Sequence, residues 1–493
     1  MKAEQTEQSL ESQLKMARPK RAEVKRVPLT PEEKEFLGEI MEKAVVAEKA
    51  GELEKALGFY TDYKNELLKI KESISEKEQE YTINLDEYEE YYEPSDIEGK
   101  IAFSAKKDGK FYVIYGQDRK IGKGYDFAHN PMHSLGRLFF PVEQDKKSFV
   151  VNEQGERIGA AFDEIHHITD IAGQLFISGM KNDEYFVVNE KGEKIGSNYS
   201  SVSNLMNVKG ECVFHACETK KNSSKWFLVN EKEGKYGQEY NAIDPPQFFE
   251  DKMFFHARQG SEWFVFNEKG EKISKGYEWI SYLDNIGGNI VFSATRDNKW
   301  FIVNEKGEEL EQDYEEIGTP KNIGGKLVFG AKKDDKWFIV DEKGKKLSED
   351  YDGIEFIFNV AGIMFYQVKI KKKKYIVNEK GEIIGKDYDF VRHPLDIGGR
   401  IIFYAENDGK QFLINEKGEK ISDEYDKISS VEDIEGTLVF KAKKGDKWFM
   451  VNEKREKVSE DYDKIYHVVP INDNKAYIIA KDENTYVKRV IEI

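Results

Sequence analysis

Cys212, His215 and Cys217 are the side chains best suited to bind a metal, because thiolates and imidazoles are the ligands that zinc prefers. All three fall in one predicted strand. Successive side chains of a strand point to opposite faces, and positions 212 and 217 differ by an odd number, so the two cysteines face apart. We therefore predict no metal site and no cofactor. Two cysteines in 493 residues also give no disulfide framework.

Five histidines form a second candidate group, defined by their distance from a recurring aromatic residue. His167, His393 and His467 stand five residues after it, and His129 and His166 stand four after it. Histidine changes charge near neutral pH, so histidines along one shared rim would make a pH-sensitive or ligand-binding site. The alternative is a set of unrelated surface histidines.

Closely spaced carboxylates are the residue type that general acid-base catalysis uses, but it needs two of them in a pocket that shifts their pKa values. Here the pairs recur with a fixed period, as in Asp350, Asp352, Asp387, Asp389, Asp461 and Asp463. Repetition favours a structural role, and an aspartate after a tyrosine can cap its own turn. The sequence has no glycine-rich phosphate loop, calcium loop or G-x-S-x-G motif. We predict no catalytic residue and no enzymatic activity.

Five tryptophans are the predicted binding residues. They begin the same predicted strand in five units: Trp226, Trp263, Trp300, Trp337 and Trp448. The equivalent position in other units holds Phe111, Ser148, Tyr185, Lys374 and Gln411. A position that accepts serine, lysine and glutamine is at least partly exposed, and exposed aromatic side chains are typical interaction anchors. The alternative role is edge packing between units.

A tandem repeat must position all of these residues. Its period is set by the aromatic residue of a recurring Tyr-Asp pair, at Tyr125, Phe162, Tyr199, Tyr240, Tyr277, Tyr314, Tyr351, Tyr388, Tyr425 and Tyr462. Eight of the nine intervals are 37 residues and one is 41. The four extra residues fall between Phe214 and Trp226, where we predict a longer loop. If one unit carries a specialised site, we expect it among units 1 to 5, which diverge most.

One unit, from Gly324 to Ile354, shows the predicted anatomy. An apolar strand at 327–332, a turn at Asp334 and a second strand at 337–340 are followed by Glu-Lys-Gly, whose Gly344 suits a positive φ. A third strand and the Tyr-Asp pair complete a three- to four-stranded antiparallel meander. The second strand is apolar on both faces and needs cover from neighbouring units, as in a propeller or a stacked solenoid.

Incomplete units stand at both ends of the array. Residues 81–92 resemble the last part of a unit, because Tyr88 lies 37 residues before Tyr125, and residues 476–493 resemble the first two strands of one. If these halves meet, they form an eleventh unit and remove exposed strand edges. The fold class is therefore an all-β repeat array, either propeller-like and closed by its half units, or an open superhelix, or two smaller rings.

The segment before the repeats divides into two parts. We predict a disordered tail at 1–28, a helical hairpin at 29–75 and the β-repeat array at 76–493. Thr30, Pro31 and Glu33 form a good helix start, with Thr30 as N-cap. The segment AEKAGELEKALGFY at 47–60 resembles the junction between two helices of a tetratricopeptide repeat.

The array resembles the WG or KWG family of bacterial β-rich repeats in its pattern of an aromatic pair, a strand, Asn-Glu-Lys-Gly and Tyr-Asp. KWFIVNEKGEELEQDYEEI at 299–317 shows the pattern well, and the resemblance covers about four fifths of the chain. It implies a binding or scaffolding role and supplies no catalytic residues.

Composition and charge limit the function further. A formal charge of -17 argues against a general nucleic-acid grip, which needs clustered lysine and arginine. No apolar run reaches signal-peptide or membrane-span length, so we predict a cytoplasmic protein that does not bind membranes. The favoured function is a non-enzymatic protein-binding or assembly scaffold, with the helical segment as an additional docking element. The alternative is a lectin-like module that stacks its tryptophans on glycans.

Overall fold

The computed structural model describes residues 31–49, 53–117, 119–134, 137–203, 205–220, 223–232, 234–249, 252–286, 289–304, 306–311, 314–371, 373–434, 436–472 and 474–493. The predicted tail at 1–28 and the predicted N-cap Thr30 lie outside these residues. None of the helices within these ranges is both long and apolar enough to cross a membrane.

Within the described part of the chain, two helices precede the strands: α1 (Pro31–Lys49) and α2 (Leu53–Glu78). The first helix begins at Pro31, as predicted. The two helices pack through side chains at helical spacing, which form two clusters: Ala44, Ala47, Ala56 and Tyr60 in one, and Leu37, Tyr63 and Leu67 in the other. The predicted helical hairpin is therefore present, and its second helix leads directly to β1 (Tyr81–Asn84).

The described residues of the array form eleven antiparallel sheets, numbered here in chain order. Sheet 1 contains β2 (Glu90–Tyr91), β3 (Ser95–Ile97), β4 (Lys100–Lys107), β5 (Lys110–Tyr115) and β6 (Arg119–Tyr125). Sheet 2 contains β7 (Phe127–Ala128), β8 (Met132–Ser134), β9 (Arg137–Gln144), β10 (Lys147–Asn152) and β11 (Arg157–Phe162). Sheet 3 contains β12 (Glu164–Ile171), β13 (Gln174–Lys181), β14 (Glu184–Asn189) and β15 (Lys194–Tyr199).

Sheet 4 contains β16 (Ser201–Val202), β17 (Met206–Val208), β18 (Glu211–Lys220), β19 (Ser223–Asn230) and β20 (Gly234–Tyr240). Sheet 5 contains β21 (Ala242–Ile243), β22 (Gln247–Phe249), β23 (Lys252–Gln259) and β24 (Glu262–Asn267). Sheet 6 contains β25 (Trp279–Ile280), β26 (Asp284–Ile286), β27 (Asn289–Arg296), β28 (Lys299–Asn304) and β29 (Glu309–Glu311). Sheet 7 contains β30 (Glu316–Ile317), β31 (Lys321–Ile323), β32 (Lys326–Lys333) and β33 (Lys336–Asp341).

Sheet 8 contains β34 (Gly353–Val360), β35 (Ile363–Ile370), β36 (Lys373–Asn378) and β37 (Ile383–Ile384). Sheet 9 contains β38 (Phe390–Val391), β39 (Leu395–Ile397), β40 (Arg400–Asn407) and β41 (Lys410–Asn415). Sheet 10 contains β42 (Lys427–Ile434), β43 (Thr437–Lys444) and β44 (Lys447–Asn452). Sheet 11 contains β45 (Lys464–Asn472), β46 (Lys475–Asp482), β47 (Thr485–Glu492) and β1. The prediction of an all-β array of propeller-like meander sheets is confirmed.

The chain divides into two compact units. The first contains the described residues up to Phe103, residues 114–120 and Ser429–Ile493, and the second contains Ser104–Val113 and Ile121–Ile428. Both helices and the whole of sheet 11 belong to the first unit, and sheets 2 to 9 belong to the second.

Each sheet starts one strand earlier than the sequence predicts. The segment that follows one tyrosine forms the first strand of the next sheet, often in two short pieces. In sheet 7 these are β30 and β31, which both pair with the second strand, β32. The third strand is β33, and Tyr351 adds the last bridge, to Trp337. The tyrosine therefore ends a sheet and its aspartate begins the connection to the next.

The half units at the two ends of the array meet, as predicted. Strand β1 pairs antiparallel with β47, with Tyr81 opposite Lys488 and Asn84 opposite Thr485. The Tyr81 hydroxyl also accepts a hydrogen bond from the Ile101 N–H at 2.7 Å. The C-terminal half supplies three strands rather than the two predicted, because residues 464–472 form the first strand of sheet 11.

The insertion between Phe214 and Trp226 was predicted as a longer loop, and instead it lengthens a hairpin. Strands β18 and β19 continue to pair as far as Lys220 and Ser223. Strand pairing satisfies the extra backbone groups, as an unpaired loop would not.

The aspartate after the tyrosine joins consecutive sheets rather than capping its own turn. Asp352 accepts from Lys336 Nζ at 2.7 Å and from the N–H of Lys371 at 2.9 Å, in the hairpin turn of the following sheet. The same pair of contacts recurs at Asp126 and Asp163. Lysine and backbone donors hold the pKa of Asp352 below its usual value. These repeated carboxylates are structural, which agrees with their periodicity.

A second repeated element is the Asn-x-x-Gly-Glu turn after the third strand. Asn415 Oδ1 accepts from the N–H groups of Lys417 and Glu419, both at 3.0 Å, while Asn415 Nδ2 donates to the Glu419 carboxylate at 2.8 Å. Gly418 has a φ of 80°, which only glycine adopts without a steric cost. In the turn of sheet 10, Arg455 occupies this position with a φ of 68°.

Strained backbone at Arg455 gives a stability prediction. Arg455→Gly is expected to raise the free energy of unfolding by roughly 0.5 to 1 kcal/mol. The left-handed conformation strains a residue that has a Cβ, and the relief of this strain should exceed the entropy that glycine adds to the unfolded chain. The matched change is Gly381→Ala, at a φ of 83° with open space around the new Cβ, which should lower stability. Thermal denaturation of both variants tests the pair, and an unchanged or lower midpoint for Arg455→Gly contradicts it.

In six sheets the phenylalanine that follows the tryptophan position lies beneath a lysine. Lys272 Nζ stands 3.5 Å from the ring centre of Phe264, and Lys420 Nζ stands 4.1 Å from that of Phe412. Four further units repeat this contact with lysine: Lys194 on Phe186, Lys235 on Phe227, Lys346 on Phe338 and Lys457 on Phe449. In these six sheets the lysine covers one face of the ring and keeps its own charge hydrated.

Sheet 6 replaces this lysine with Glu309 and supplies the cation from elsewhere. Arg296 lies 5.0 Å from the centre of the Phe301 ring and binds both Glu309 oxygens, at 2.8 and 2.9 Å. Tyr277 donates its hydroxyl to the same carboxylate at 2.7 Å. The Arg296 guanidinium, together with these further donors, lowers the pKa of Glu309 to about 2.

The depressed pKa of Glu309 predicts a pH dependence of local stability. Its contribution should be fully present above the usual glutamate pKa of about 4.5 and should be lost as the pH falls towards about 2. Glu309→Gln should therefore weaken hydrogen-exchange protection of β28 at pH 7, by about 2 to 3 kcal/mol. Near pH 2 the variant and the original chain should converge. Equal protection at pH 7 would rule out this role for the carboxylate.

Candidate binding surface

The five predicted tryptophans occupy one structural position near the start of the third strand. Each tryptophan either forms a β-bridge with the tyrosine that ends its unit or occupies the equivalent position of its strand. Trp337 donates its N–H to the Tyr351 carbonyl at 3.0 Å and accepts the Tyr351 N–H at 2.8 Å. Trp448 and Tyr462 make the same two hydrogen bonds. The backbone at this position is therefore fixed by the repeat, which leaves the side chain free to vary.

All five tryptophan side chains are half-buried, as their tolerance of polar replacements predicts. Four pack against the hydrophobic cores of their sheets: Trp226, Trp263, Trp300 and Trp448. These four make the edge packing that the sequence left open as the alternative. A binding role for the five stays a prediction, and Trp337 is distinguished from the others by the space beside it.

Trp337 borders a cavity of about 550 Å³ in the second unit. Gly330, on the neighbouring second strand, lines the same cavity. A Cβ added to Gly330 would stand 3.6 Å from two atoms of the indole and 3.8 Å from Ile354. The missing side chain thus exposes one part of the tryptophan ring to the cavity.

Two exposed aromatic rings flank the cavity. Tyr282 and Phe356 are 71% and 58% exposed, and both line the cavity. They occupy the same repeat position, five residues after Tyr277 and Tyr351. The equivalent residue in the sheet between them is the small Thr319, also in the lining. Two large rings therefore stand on either side of a small residue, above the opening that Gly330 creates.

The charged side chains of the cavity are unequally paired. Glu355 pairs with Lys374 at 2.6 Å, and Lys321 pairs with Asp284 at 3.5 Å. Glu316 is exposed and has no ion pair with any residue that the structure describes. The cavity therefore presents one carboxylate that is available to a cationic group.

Exposed aromatic side chains are concentrated in the first strands of the second unit. Those more than two fifths exposed there are Phe248 at 44%, Trp279 at 45%, Tyr282 at 71%, Phe356 at 58% and Phe390 at 41%. We call these five residues the aromatic surface set. Trp279 contacts Trp300 edge to face, with ring centres 5.7 Å apart, so the set also reaches one of the predicted tryptophans.

Sequence reasoning missed the aromatic surface set, although a signal for two members was present. Tyr282 and Phe356 share their repeat position with His167, His393 and His467, which the sequence analysis did single out. Comparing every residue at that position, rather than histidines alone, would have found the two rings. No comparable signal marked Gly330, because a glycine within an apolar strand does not by itself indicate a cavity.

The histidines of the predicted rim make separate local contacts. His166 stacks on Tyr185 with ring centres 5.2 Å apart, and His393 stacks on Phe358 at 6.0 Å. In the first unit, His467 Nε2 lies 3.1 Å from the Pro94 carbonyl oxygen. His129 packs edge to face on the neighbouring Phe127 ring, 4.8 Å away. Each ring thus has a local packing role, and a shared histidine site remains a hypothesis.

Cys212, His215 and Cys217 are all buried in β18. Cys212 belongs to a core cluster with Phe214, whereas Cys217 lies 3.9 Å from the Thr219 hydroxyl. Burial raises the pKa of the Cys212 thiol to about 12 and lowers the pKa of His215 to about 4. Among the described residues, no group of three or more histidine, cysteine or acidic side chains could hold a metal ion.

A second cavity of about 420 Å³ lies between sheets 2 and 3 and is lined by Arg137 and Glu190. Its arginine is already engaged, donating to Glu190 at 3.0 Å and to the Gly173 carbonyl at 2.9 Å. An arginine held in this way has less to offer an incoming anion, so the cavity beside Trp337 is the stronger candidate.

Comparisons with known proteins assign this chain to no family. No protein-family model and no curated protein matches this chain. A solved structure of the eukaryotic initiation factor matches with 11% identity over 72% of this chain and 98% of that chain, with a TM-score of 0.38. The beta-propeller domain of the Trilobed protease from Pyrococcus furiosus matches with 11% identity over 54% and 100%, with a TM-score of 0.25. The tricorn protease matches with 14% identity over 80% and 46%, with a TM-score of 0.22. At these values the likenesses assign no function to this chain.

The exposures predict an order of chemical modification. In hydroxyl-radical footprinting read by mass spectrometry, Trp279 should react faster than any of the five half-buried tryptophans, because more of its ring contacts water. Tyr282 and the fully buried Tyr240 provide the matched extremes, at 71% and 0% exposed. A rate for Trp226 or Trp448 equal to that of Trp279 would contradict the described packing.

Proposed function

We propose that this chain is a non-enzymatic, cytoplasmic scaffold that binds proteins through the aromatic surface set of its second unit. The observation that carries the proposal is the exposure of Tyr282 and Phe356, at 71% and 58%, beside an open cavity. Large exposed rings cost solubility unless they serve an interaction, and aromatic residues are the commonest anchors of protein interfaces. The resemblance to WG or KWG repeats supports the same role.

The contacts of the charged and nucleophilic groups support a role without catalysis. The repeated aspartates hold lysines and hairpin turns, and Glu309 is held by Arg296. Cys212 and Cys217 are buried free thiols, which suits a reducing compartment. The repeated aspartates and Glu309 are thus engaged in structural contacts.

A glycan-binding module is the second candidate, and the Trp337 cavity favours it. An indole that faces a cavity beside the polar side chain of Thr319 has the elements of a sugar subsite. Sugars bind by stacking on an aromatic face while side chains of this type bind their hydroxyls. The two candidates differ in the ligand that the same residues would retain.

The test compares the full chain with a Tyr282→Ser/Phe356→Ser variant and a Phe36→Ser control, whose ring is 51% exposed on α1. Each protein is immobilised, exposed to native lysate and then to a glycan array. We expect specific proteins to be retained by the original chain and the control, and lost from the double variant, because only the latter removes the anchors. Retention that is unchanged in the double variant, or retention of glycans alone, contradicts the scaffold proposal.

A further inference from the structure

One position of the repeat carries a different side chain in different sheets, and in sheet 7 it lines the cavity beside Trp337. It lies on the second strand, between a large residue and a small one. In sheets 1 to 10 it holds Ser104, Pro141, Ser178, His215, His256, Ser293, Gly330, Gln367, Tyr404 and Lys441. Gly330 is the only glycine among these ten. Sheet 7 is therefore the place where the repeat leaves this space without a side chain of its own.

Sheet 10 shows which group the repeat itself can place there. Lys441 is 6% exposed, and its Nζ donates to the Tyr466 carbonyl at 2.9 Å. Burial lowers the pKa of Lys441, while the Glu432 carboxylate opposes that shift and Lys464 adds to it. A buried ammonium is tolerated only where acceptors and a counter-charge are provided. In the first unit, this repeat position is thus a built site for a lysine head group.

A β-bulge supplies the carbonyl that receives this ammonium. Tyr466 stands at a register shift in the pairing of β45 with β46, between Ile465 and His467. Glu355 stands at the same kind of shift in β34, between Ile354 and Phe356. A residue at a bulge is left out of the hydrogen-bond ladder, so its backbone groups can serve another partner.

The two arrangements are related by the repeat. Lys441 lies 111 residues after Gly330, and Tyr466 lies 111 residues after Glu355. Glu355 lines the cavity beside Trp337. The second unit therefore repeats the bulge of the lysine site and omits the lysine. The counter-charge Glu432 is replaced there by Lys321, which pairs with Asp284, so the carboxylate of the cavity comes from Glu316 instead.

The charge of the cavity fits a cation. Glu316 offers a carboxylate without an ion pair inside the described part of the chain, and the whole protein carries a formal charge of -17. The indole of Trp337 adds a ring face, which attracts a desolvated cation. Tyr282 and Phe356 extend apolar surface beyond the cavity on both sides, where residues flanking a lysine in a peptide would lie.

We propose that the cavity beside Trp337 receives a lysine side chain from a partner protein, with its ammonium between the Glu316 carboxylate and the Glu355 carbonyl. The proposal rests on the scaffold function above and specifies the partner's anchor residue. The rings of Tyr282 and Phe356 contact the flanking peptide, and the ammonium takes the place that Lys441 fills in sheet 10.

The test measures binding of short peptides to the full chain by isothermal titration calorimetry. The probe is acetyl-GLKLG-amide, its neutral control is acetyl-GLQLG-amide, and lysine amide alone represents a free small cation. We expect the lysine peptide to bind at least about tenfold more tightly than either control, a difference of roughly 1.4 kcal/mol. Equal affinity for the lysine and glutamine peptides overturns the proposal. Equal affinity for lysine amide overturns the assignment to a protein segment.

Variants of the chain locate the binding to this cavity. Gly330→Lys should abolish binding, because the new side chain occupies the site as Lys441 does. Ser261→Lys adds the same charge in an exposed turn of the second unit, where Lys146 stands in sheet 2, and should leave affinity unchanged within about twofold. Glu316→Gln, an exposed change that does not test the fold, should weaken binding about tenfold. Retained affinity in Gly330→Lys or Glu316→Gln overturns the site.

The outcomes separate this proposal from the one on which it rests. If aromatic-dependent protein capture persists while the lysine peptide fails to bind, only the lysine anchor is wrong. If capture and peptide binding are both absent, the scaffold function fails as well. Thermal midpoints of each variant show whether a loss of binding reflects unfolding, and Glu316→Gln decides the case if Gly330→Lys does not fold.

Discussion

The structure depends on one constraint: a sheet of three to five strands cannot cover the apolar side chains that project from both of its faces. Phe329 and Ala331 project from one face of β32 and are 0% exposed, as is Ile339 on the adjacent strand. Phe329 and Ile339 belong to different core clusters, and the Ile339 cluster includes Met364 and Tyr366 of the next sheet. Neighbouring sheets therefore bury each other's apolar faces, which is why one unit cannot be stable alone.

That dependence divides the repeat into fixed and variable positions. Residues that join sheets or close turns, such as Asp352 and Asn415, have contacts that recur with the period and leave little freedom for specialised chemistry. The position five residues after the tyrosine carries no such contact. It holds Tyr282, Thr319 and Phe356 in successive sheets. A candidate site can therefore differ between sheets at positions of this second kind, and three of them line the cavity beside Trp337.

The sequence predicted those features that depend on local chemistry or on simple periodicity. Gly344 adopts a φ of 76°, as the turn requires, and the half units pair through Tyr81 and Lys488. It misplaced the first strand of each sheet, because the two short pieces of that strand contribute few apolar residues, such as Ile317 and Ile323. The cavity was beyond sequence reasoning altogether, since it arises where Gly330 contributes no side chain and the walls come from four different sheets.

A site made by removing a side chain suits a repeat protein for a physical reason. In an ordinary core, deletion of a side chain costs stability through the cavity that remains, unless the surroundings collapse. Here the neighbouring backbone is fixed by contacts that recur from unit to unit, such as the paired hydrogen bonds of Trp337 and Tyr351. The space therefore stays open. In sheet 10 the equivalent space is filled by the Lys441 side chain, whose ammonium donates a hydrogen bond to the bulge carbonyl of Tyr466. The repeat thus contains both the occupied and the open form of one arrangement, and the occupied form indicates which chemical group the open form is shaped to accept.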